Sequence, residues 1–415
     1  MPDFDLLVGP IGCLVPCHQD GPRTGASMKQ LPVIADGAVG AKDGAISFVG
    51  PWSEVKGASA TRRIDATGRT VLPGFVDSHT HIPFLGDRAK ELVMRLNGAT
   101  YMDIGKAGGG ILSTMRAVRA ASQDELLNSG RVHARRLLAH GVTTFEAKSG
   151  YGLDLENELK QLRAIKALSD EGPQRIAATC LSAHFVPPEF KGSPENYVGL
   201  ICDEILPAVA KEKLARFCDV FCEEGAFTPE QSRRILLRGK ELGLLPRIHA
   251  DEIEDTSGAS LAAEVGAVSA DHLLAASGEG IKKMAAAGVC ATLLPATAFY
   301  LRKPYAPARA FVEAGCPVAI ASDCNPGSSY TANSIMVLTL AVFGMGLMPE
   351  EALWAMTLNA AYALRMDDKT GSLAPGKAAD LCIWDVPSYL HLFYPFAENP
   401  LIAAVINGKV AYEPR

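Results

Sequence analysis

The stretch that decides the fold is Val71-Leu72-Pro73-Gly74-Phe75-Val76-Asp77-Ser78-His79-Thr80-His81-Ile82, an apolar run that carries into two histidines one residue apart. Side chains alternate along a strand, so His79 and His81 leave the backbone on the same side. Two imidazoles placed this way can share one metal ion. The pair does not name the metal, because imidazole suits zinc, iron and nickel alike. An H-x-H can equally be two polar residues at a strand end, so its meaning depends on what the rest of the chain brings.

Outward from this stretch the texture divides the chain. Residues 1 to about 70 read as short strands with turn punctuation, for example Ala45–Pro51 and Arg63–Gly68. The same texture returns in Ala379–Asp385 and Leu401–Tyr412. Neither end is long enough for an independent sandwich, so we expect 1–70 and 366–415 to form one composite β-sandwich module. Between them, over 71–365, strands alternate with helices. After a first strand at 70–77 come Val142–Ala147, Arg175–Ala183, Phe217–Cys222, Pro246–Ala250, Ala267–Asp271, Val289–Leu294 and Pro317–Ser322. Eight strands alternating with helices is the count of a (β/α)8 TIM-like barrel, whose catalytic groups gather at the C-terminal strand ends. A doubly wound open sheet is the alternative, but no Gly-rich dinucleotide turn follows the first strand. Asp154 is placed to cap a helix with Leu155, Leu159, Leu162 and Ile165 on one face, and Thr228-Pro229-Glu230-Gln231 is a capping box.

Bulk properties narrow the class. The 415 residues allow one large barrel plus a smaller module, and 48% hydrophobic content supplies a sizeable core. A net charge of −6 without any basic block argues against nucleic acid or an anionic membrane as partner. An anionic substrate would then need a dedicated arginine. The first residues lack a basic segment followed by a long apolar core, and the uncharged run from Ser334 to Met348 is too short to span a bilayer and reads as a buried helix. The ten cysteines include no C-x-x-C pair. They read as buried reduced thiols of a cytoplasmic protein, with a reservation only for Cys324 beside a candidate ligand.

The polar residues at the strand ends form a constellation. The first strand ends in His79 and His81, the second in Lys148, Ser149 and Tyr151, the third in His184. The fifth ends in His249 and then Glu252, the sixth in Asp271-His272, and the eighth in Ser322-Asp323-Cys324-Asn325. Five of the nine histidines thus fall on one rim; His18, His133, His140 and His391 read as surface residues on termini or helices. Buried imidazoles need partners, and five together point to a shared ligand. Three histidines and a carboxylate with a position left for water is a catalytic metal site, where the ion brings the pKa of water to about 7. A further acid–base group must move the proton to the leaving nitrogen, and His272 and Glu252 are left over for that work. The long insertion after the first strand, residues 82 to about 122, offers Arg88 and Tyr101 as candidate substrate-binding side chains. Its run Gly108-Gly109-Gly110 reads as a hinge or as an anion-binding turn before a helix.

With these residues in place, the chain resembles the amidohydrolase superfamily through PGFVDSHTH, His249, His272 and Asp323. Within it the chain is similar to the imidazolonepropionase family, ring-opening enzymes of histidine breakdown. The family-level motifs are Arg88-Ala89-Lys90-Glu91, MRLNGATY at 94–101, AGGGI at 107–111, KSGYGLDLE at 148–156, SAHFVPPE at 182–189, HADE at 249–252, SADHL at 269–273 and SDCNPGS at 322–328. They cover the barrel; GSLAPGKAADLCIWD at 371–385 is similar to the superfamily tail. The resemblance implies one Zn or Fe ion held by His79, His81, His249 and Asp323. It implies a small anionic substrate, 4-imidazolone-5-propanoate, gripped by Arg88 and Tyr151, with His184 and Glu252 at its ring or carbonyl. It also implies that Asn325, Gly327 and Ser328 line the pocket, and that His272 assists proton transfer.

Two other readings remain. A sister aminohydrolase acting on a purine- or pyrimidine-like ring would share the metal set but has less use for Arg88. A non-catalytic, metal-stabilised binding protein would close its coordination sphere and need no proton shuttle. Two-metal members of the superfamily carry a modified lysine or a glutamate at the end of strand four. Here that end reads Cys222-Glu223-Glu224, so Glu223 keeps a second metal open, while Lys148 on strand two suits pocket electrostatics or an ion pair. Whether the chain acts as a homodimer is left open.

Overall fold

The structure, a computed structural model, describes residues 3–99, 103–104, 107–395 and 398–414. Two sheets organise it. Strands β1 (Asp3–Leu14), β2 (Ile34–Lys42), β3 (Ala45–Pro51) and β4 (Ser59–Pro73) come from the start of the chain. The barrel strands follow: β5 (Phe75–Asp77), β6 (Val142–Lys148), β7 (Arg175–Ala183), β8 (Phe217–Cys222), β9 (Leu245–Ala250), β10 (Ser269–His272), β11 (Cys290–Leu293) and β12 (Val318–Ile320). The end of the chain adds β13 (Leu381–Trp384), β14 (Leu401–Ile406) and β15 (Lys409–Tyr412).

The terminal strands form one seven-stranded mixed sheet in the order β15-β14-β13-β4-β1-β2-β3, so both ends of the chain build the smaller module. Its core is Leu6, Val8, Ile11, Val39, Val71, Leu381, Ile383 and Val405. Here the first strand differs from expectation. Val71 and Leu72 pair with Ile383 and Cys382 across β4 and β13, so they belong to the terminal sheet. The barrel begins only after Gly74, where Phe75 donates its N–H to the Gly141 carbonyl. One continuous apolar run therefore serves two sheets in succession. Trp384 packs on Phe75 with ring centroids 5.1 Å apart and joins the two modules.

The other eight strands run in order from β5 to β12, all parallel. Strands β6, β10, β11 and β12 are buried at every residue, as expected where helices cover one face of a parallel sheet and side chains fill the other. Beyond the last strand, His81 N–H donates to Cys324 O and Asp323 N–H donates to His79 O, each at 3.0 Å. These bonds close the barrel between its last and first strands. The helix Leu155–Glu171 starts at Asp154, whose carboxylate accepts from Asn157 N–H, and Pro229–Glu241 starts in the capping box of Thr228 and Gln231. Ser334–Phe343 is a largely buried helix. No helix among the described residues is long and apolar enough to cross a membrane. All ten cysteines are free and buried.

Candidate active site

The C-terminal rim of the barrel brings the expected histidines together. His79 and His81 lie with ring centroids 5.2 Å apart, His249 stands 4.6 Å from His79, and His272 stands 5.2 Å from His249. Asp323 Oδ1 is 3.5 Å from His79 Nε2 and 3.3 Å from His81 Nε2, and His249 Nε2 is 3.5 Å from His81 Nε2. Bonds of about 2.0–2.1 Å to a tetrahedral ion set ligand atoms roughly 3.3–3.4 Å apart. His79 Nε2 and Asp323 Oδ1 are also buried without a hydrogen-bond partner. Atoms with those spacings and no protein partner fit a metal ion. His272 lies in reach of the same point, since His79, His249 and His272 form a second compact donor group.

Each donor is aimed from behind. His79 Nδ1 lies 2.7 Å from Asp271 Oδ2 and His249 Nδ1 lies 3.1 Å from Asp219 Oδ2, which turns both Nε2 atoms toward the shared centre. Thr297 Oγ1 donates to Asp323 Oδ2 at 2.6 Å and leaves Oδ1 without a hydrogen bond, facing the same centre. Burial works against the charge of Asp219, but His249 and Lys148 hold it well below the carboxylate range. Burial depresses His79 and His81, which keeps both imidazoles neutral, the form that binds metal. Asp323 and His272 both sit at positive φ, +52° and +75°, where the strands turn sharply onto the rim.

Sequence reasoning offered Lys148 an ion pair but missed the rest of the layer beneath. Lys148 Nζ is 2.8 Å from Glu146 and 2.7 Å from Asp219, and Arg247 reaches Glu146 at 3.1 Å and Asp271 at 3.0 Å. All five side chains are fully buried. The signal was present: Glu146 and Lys148, like Arg247 and His249, are polar residues two apart inside apolar strands, hence on one inward face. Lys148 is thus part of a buried ion-pair network. Glu223 accepts from Ile253 N–H at 2.9 Å and, among the described residues, joins no cluster of three candidate metal donors. Cys324 contributes its carbonyl to barrel closure, and burial raises its thiol.

Several of the residues expected to meet the substrate lie near the histidines. His184 stacks on His81 at 5.1 Å and its Nδ1 lies 3.0 Å from Gly150 O. A Cβ at Gly150, which has φ +107°, would stand 2.8 Å from Leu181 O, so that approach requires glycine. Tyr151 lies 6.0 Å from the His81 ring, near enough to Arg88 for the guanidinium to favour its phenolate, although burial dominates and raises its pKa. Glu158 fixes this loop by accepting from Gly152 and Leu153 N–H. Glu252 Oε2 is 3.6 Å from His272 Nε2. Burial, with the Asp323 carboxylate nearby, raises Glu252 to about 8. Burial lowers His272 to about 3. Asn325 spends its amide within its own loop, accepting from Gly327 and Ser328 N–H and donating to Asp323 O. Arg88 is bound bidentately by Glu91, and the glycine run presents Gly110 N–H to that same carboxylate. The run therefore does hold an anion, an internal one. Tyr101 lies outside the described residues. His133, expected at the surface, is buried: it lies on the inner face of the helix Gln123–Leu138 and packs on Phe84 at 4.4 Å.

An eight-stranded parallel barrel whose rim gathers imidazoles and a carboxylate around one point defines a barrel hydrolase of the metal-dependent class. The amidohydrolase family model matches residues 70–411, and the chain belongs to that family. Within it, the chain is 50% identical over 394 residues to an imidazolonepropionase of Geobacillus kaustophilus (strain HTA426), covering 94% of this chain and 93% of that one. It is 50% identical over 416 residues to an imidazolonepropionase of Symbiobacterium thermophilum, with 99% and 98% covered. Among solved structures it is similar to a zinc-bound adenosine deaminase from Xanthomonas campestris (TM-score 0.72, 19% identity, 98% and 93% covered). It is also similar to E. coli guanine deaminase (TM-score 0.72, 17% identity, 99% of each chain). Likeness at that identity concerns the fold.

Proposed function

We propose that the chain hydrolyses the ring of 4-imidazolone-5-propanoate to N-formimidoyl-L-glutamate, a step of histidine degradation. The observation that carries this reading is half-identity to imidazolonepropionases along nearly the whole chain. His79, His81, His249 and Asp323 would hold one zinc or iron ion, which supplies Lewis acidity and water activation when bound. The remaining residues bind the substrate and move protons. Burial, with the Asp323 carboxylate, raises Glu252 to about 8 and favours its protonated form, while burial lowers His272 to about 3 and favours its neutral imidazole. A donor and an acceptor side by side suit a reaction in which the attacking water loses a proton and the leaving ring nitrogen gains one. Arg88 receives the propionate, and Tyr151 and His184 frame the ring. The buried thiols fit a reducing compartment, so the chain acts in the cytoplasm.

The deaminase alternative rests on fold likeness alone. Purified, metal-analysed protein assayed with freshly prepared imidazolone propionate tests the proposal. Loss of the ring absorbance with formation of the formimidoyl product is expected. Ammonia release from a purine, with no turnover of the imidazolone, would overturn it.

A further inference from the structure

We infer that Glu91 is a positioning residue for the substrate carboxylate: it holds Arg88 by one edge so that the other end of the guanidinium stays available to an anion. This rests on the reading of the substrate given above. Glu91 Oε1 accepts from Arg88 Nε at 2.9 Å, and Glu91 Oε2 accepts from Arg88 Nη2 at 2.8 Å. Both side chains are more than nine-tenths buried. A guanidinium offers five N–H donors in a rigid fork, and this pairing uses one edge of it. Arg88 Nη1 makes no hydrogen bond to any described residue, and it lies against the last-strand loop. A Cβ at Gly327 would come within 2.3 Å of that nitrogen, so the guanidinium rests on the bare Cα of Gly327. Held by Glu91 along one edge and backed by Gly327, Arg88 has one orientation to offer.

Glu91 is itself fixed by the glycine run and by the next turn of its own helix. Gly110 N–H donates to its Oε1 at 2.7 Å, and Arg95 Nη2 stands 3.4 Å from its Oε2. Arg95 in turn donates to Gly327 O at 2.7 Å. One carboxylate thus ties together the helix Ala89–Leu96, the glycine run and the loop after the last barrel strand. Its effect on catalysis runs through Arg88 and so falls on substrate binding, away from the proton-transfer groups.

The test is steady-state kinetics of the metal-loaded enzyme: parent, Glu91→Gln, Arg88→Ala and the double variant. Glu91→Gln should raise KM for imidazolone propionate about tenfold, the scale of a lost charge-assisted contact. Its kcat should stay within about twofold and its metal content should match the parent. On a ring analogue lacking the carboxylate, KM should equal the parent's. The double variant should be no worse than Arg88→Ala alone. If Glu91→Gln does not fold, Glu91→Asp serves, with a smaller rise in KM on the same substrate only. A KM at or below the parent's, or additive losses in the double variant, overturns the inference. A parent without turnover of imidazolone propionate overturns the underlying reading instead.

Discussion

Asp323 donates its main-chain N–H to the carbonyl of His79 at 3.0 Å, so a bond that closes the barrel also joins two of the four candidate ligands. Closure and metal geometry are therefore one structural event. Loss of register between the last and first strands would separate the donors.

From that arrangement, His249→Ala and Asp323→Ala should retain well under one ion per chain after dialysis. Asp219→Asn keeps every ligand but removes the negative charge behind His249 Nδ1. It should weaken metal affinity roughly 10–100-fold, the usual effect of such a partner. Metal analysis and chelator competition measure both, and full occupancy in His249→Ala would sink the ligand assignment.

Lys148→Met should leave Glu146 and Asp219 without their shared cation in a fully buried layer. Removing one partner of a buried ion pair costs about 3–5 kcal/mol. Urea unfolding at neutral pH reads this directly. A loss below about 1 kcal/mol would mean that Arg247 alone neutralises the layer.

Replacing His272 by Asn or Glu252 by Gln should lower turnover roughly 10²–10⁴-fold, the range of general acid–base catalysis. Metal content should stay near the parent value. Either variant turning over at the parental rate removes that residue from proton transfer.

His133 predicts a pH dependence of stability remote from the metal. Burial, assisted by Arg136, lowers it to about 4, below its ordinary value near 6.5. The fold favours the neutral ring, so this contribution is complete above about 6.5 and is lost as pH falls toward 4. The decline amounts to roughly 2–3 kcal/mol. Unfolding midpoints from pH 7 to 4.5 should fall less steeply for His133→Gln than for the parent. Parallel slopes would show that His133 titrates alike in both states.

Much of this molecule was legible in local pattern. Apolar runs ending in polar residues located seven of the eight barrel strands and the end of the first, and strand alternation put His79 and His81 on one side. The capping signals at Asp154 and Thr228 needed only neighbouring residues. His133 could also have been read, since it shares a helix face with Leu126, Gly130 and Leu137. Tertiary structure alone decided the rest. The partner of His79 is Asp271, 192 positions away, and no spacing rule links them. Whether Val71 belongs to the barrel or the terminal sheet depends on β13, more than 300 residues later. Arg88 reads from sequence as a charge for the substrate, but only the folded chain shows it already held by Glu91 against Gly327. Local sequence sets backbone propensity and the side each residue faces. What a buried charge pairs with depends on which distant strands meet, and that is settled by closure of the barrel.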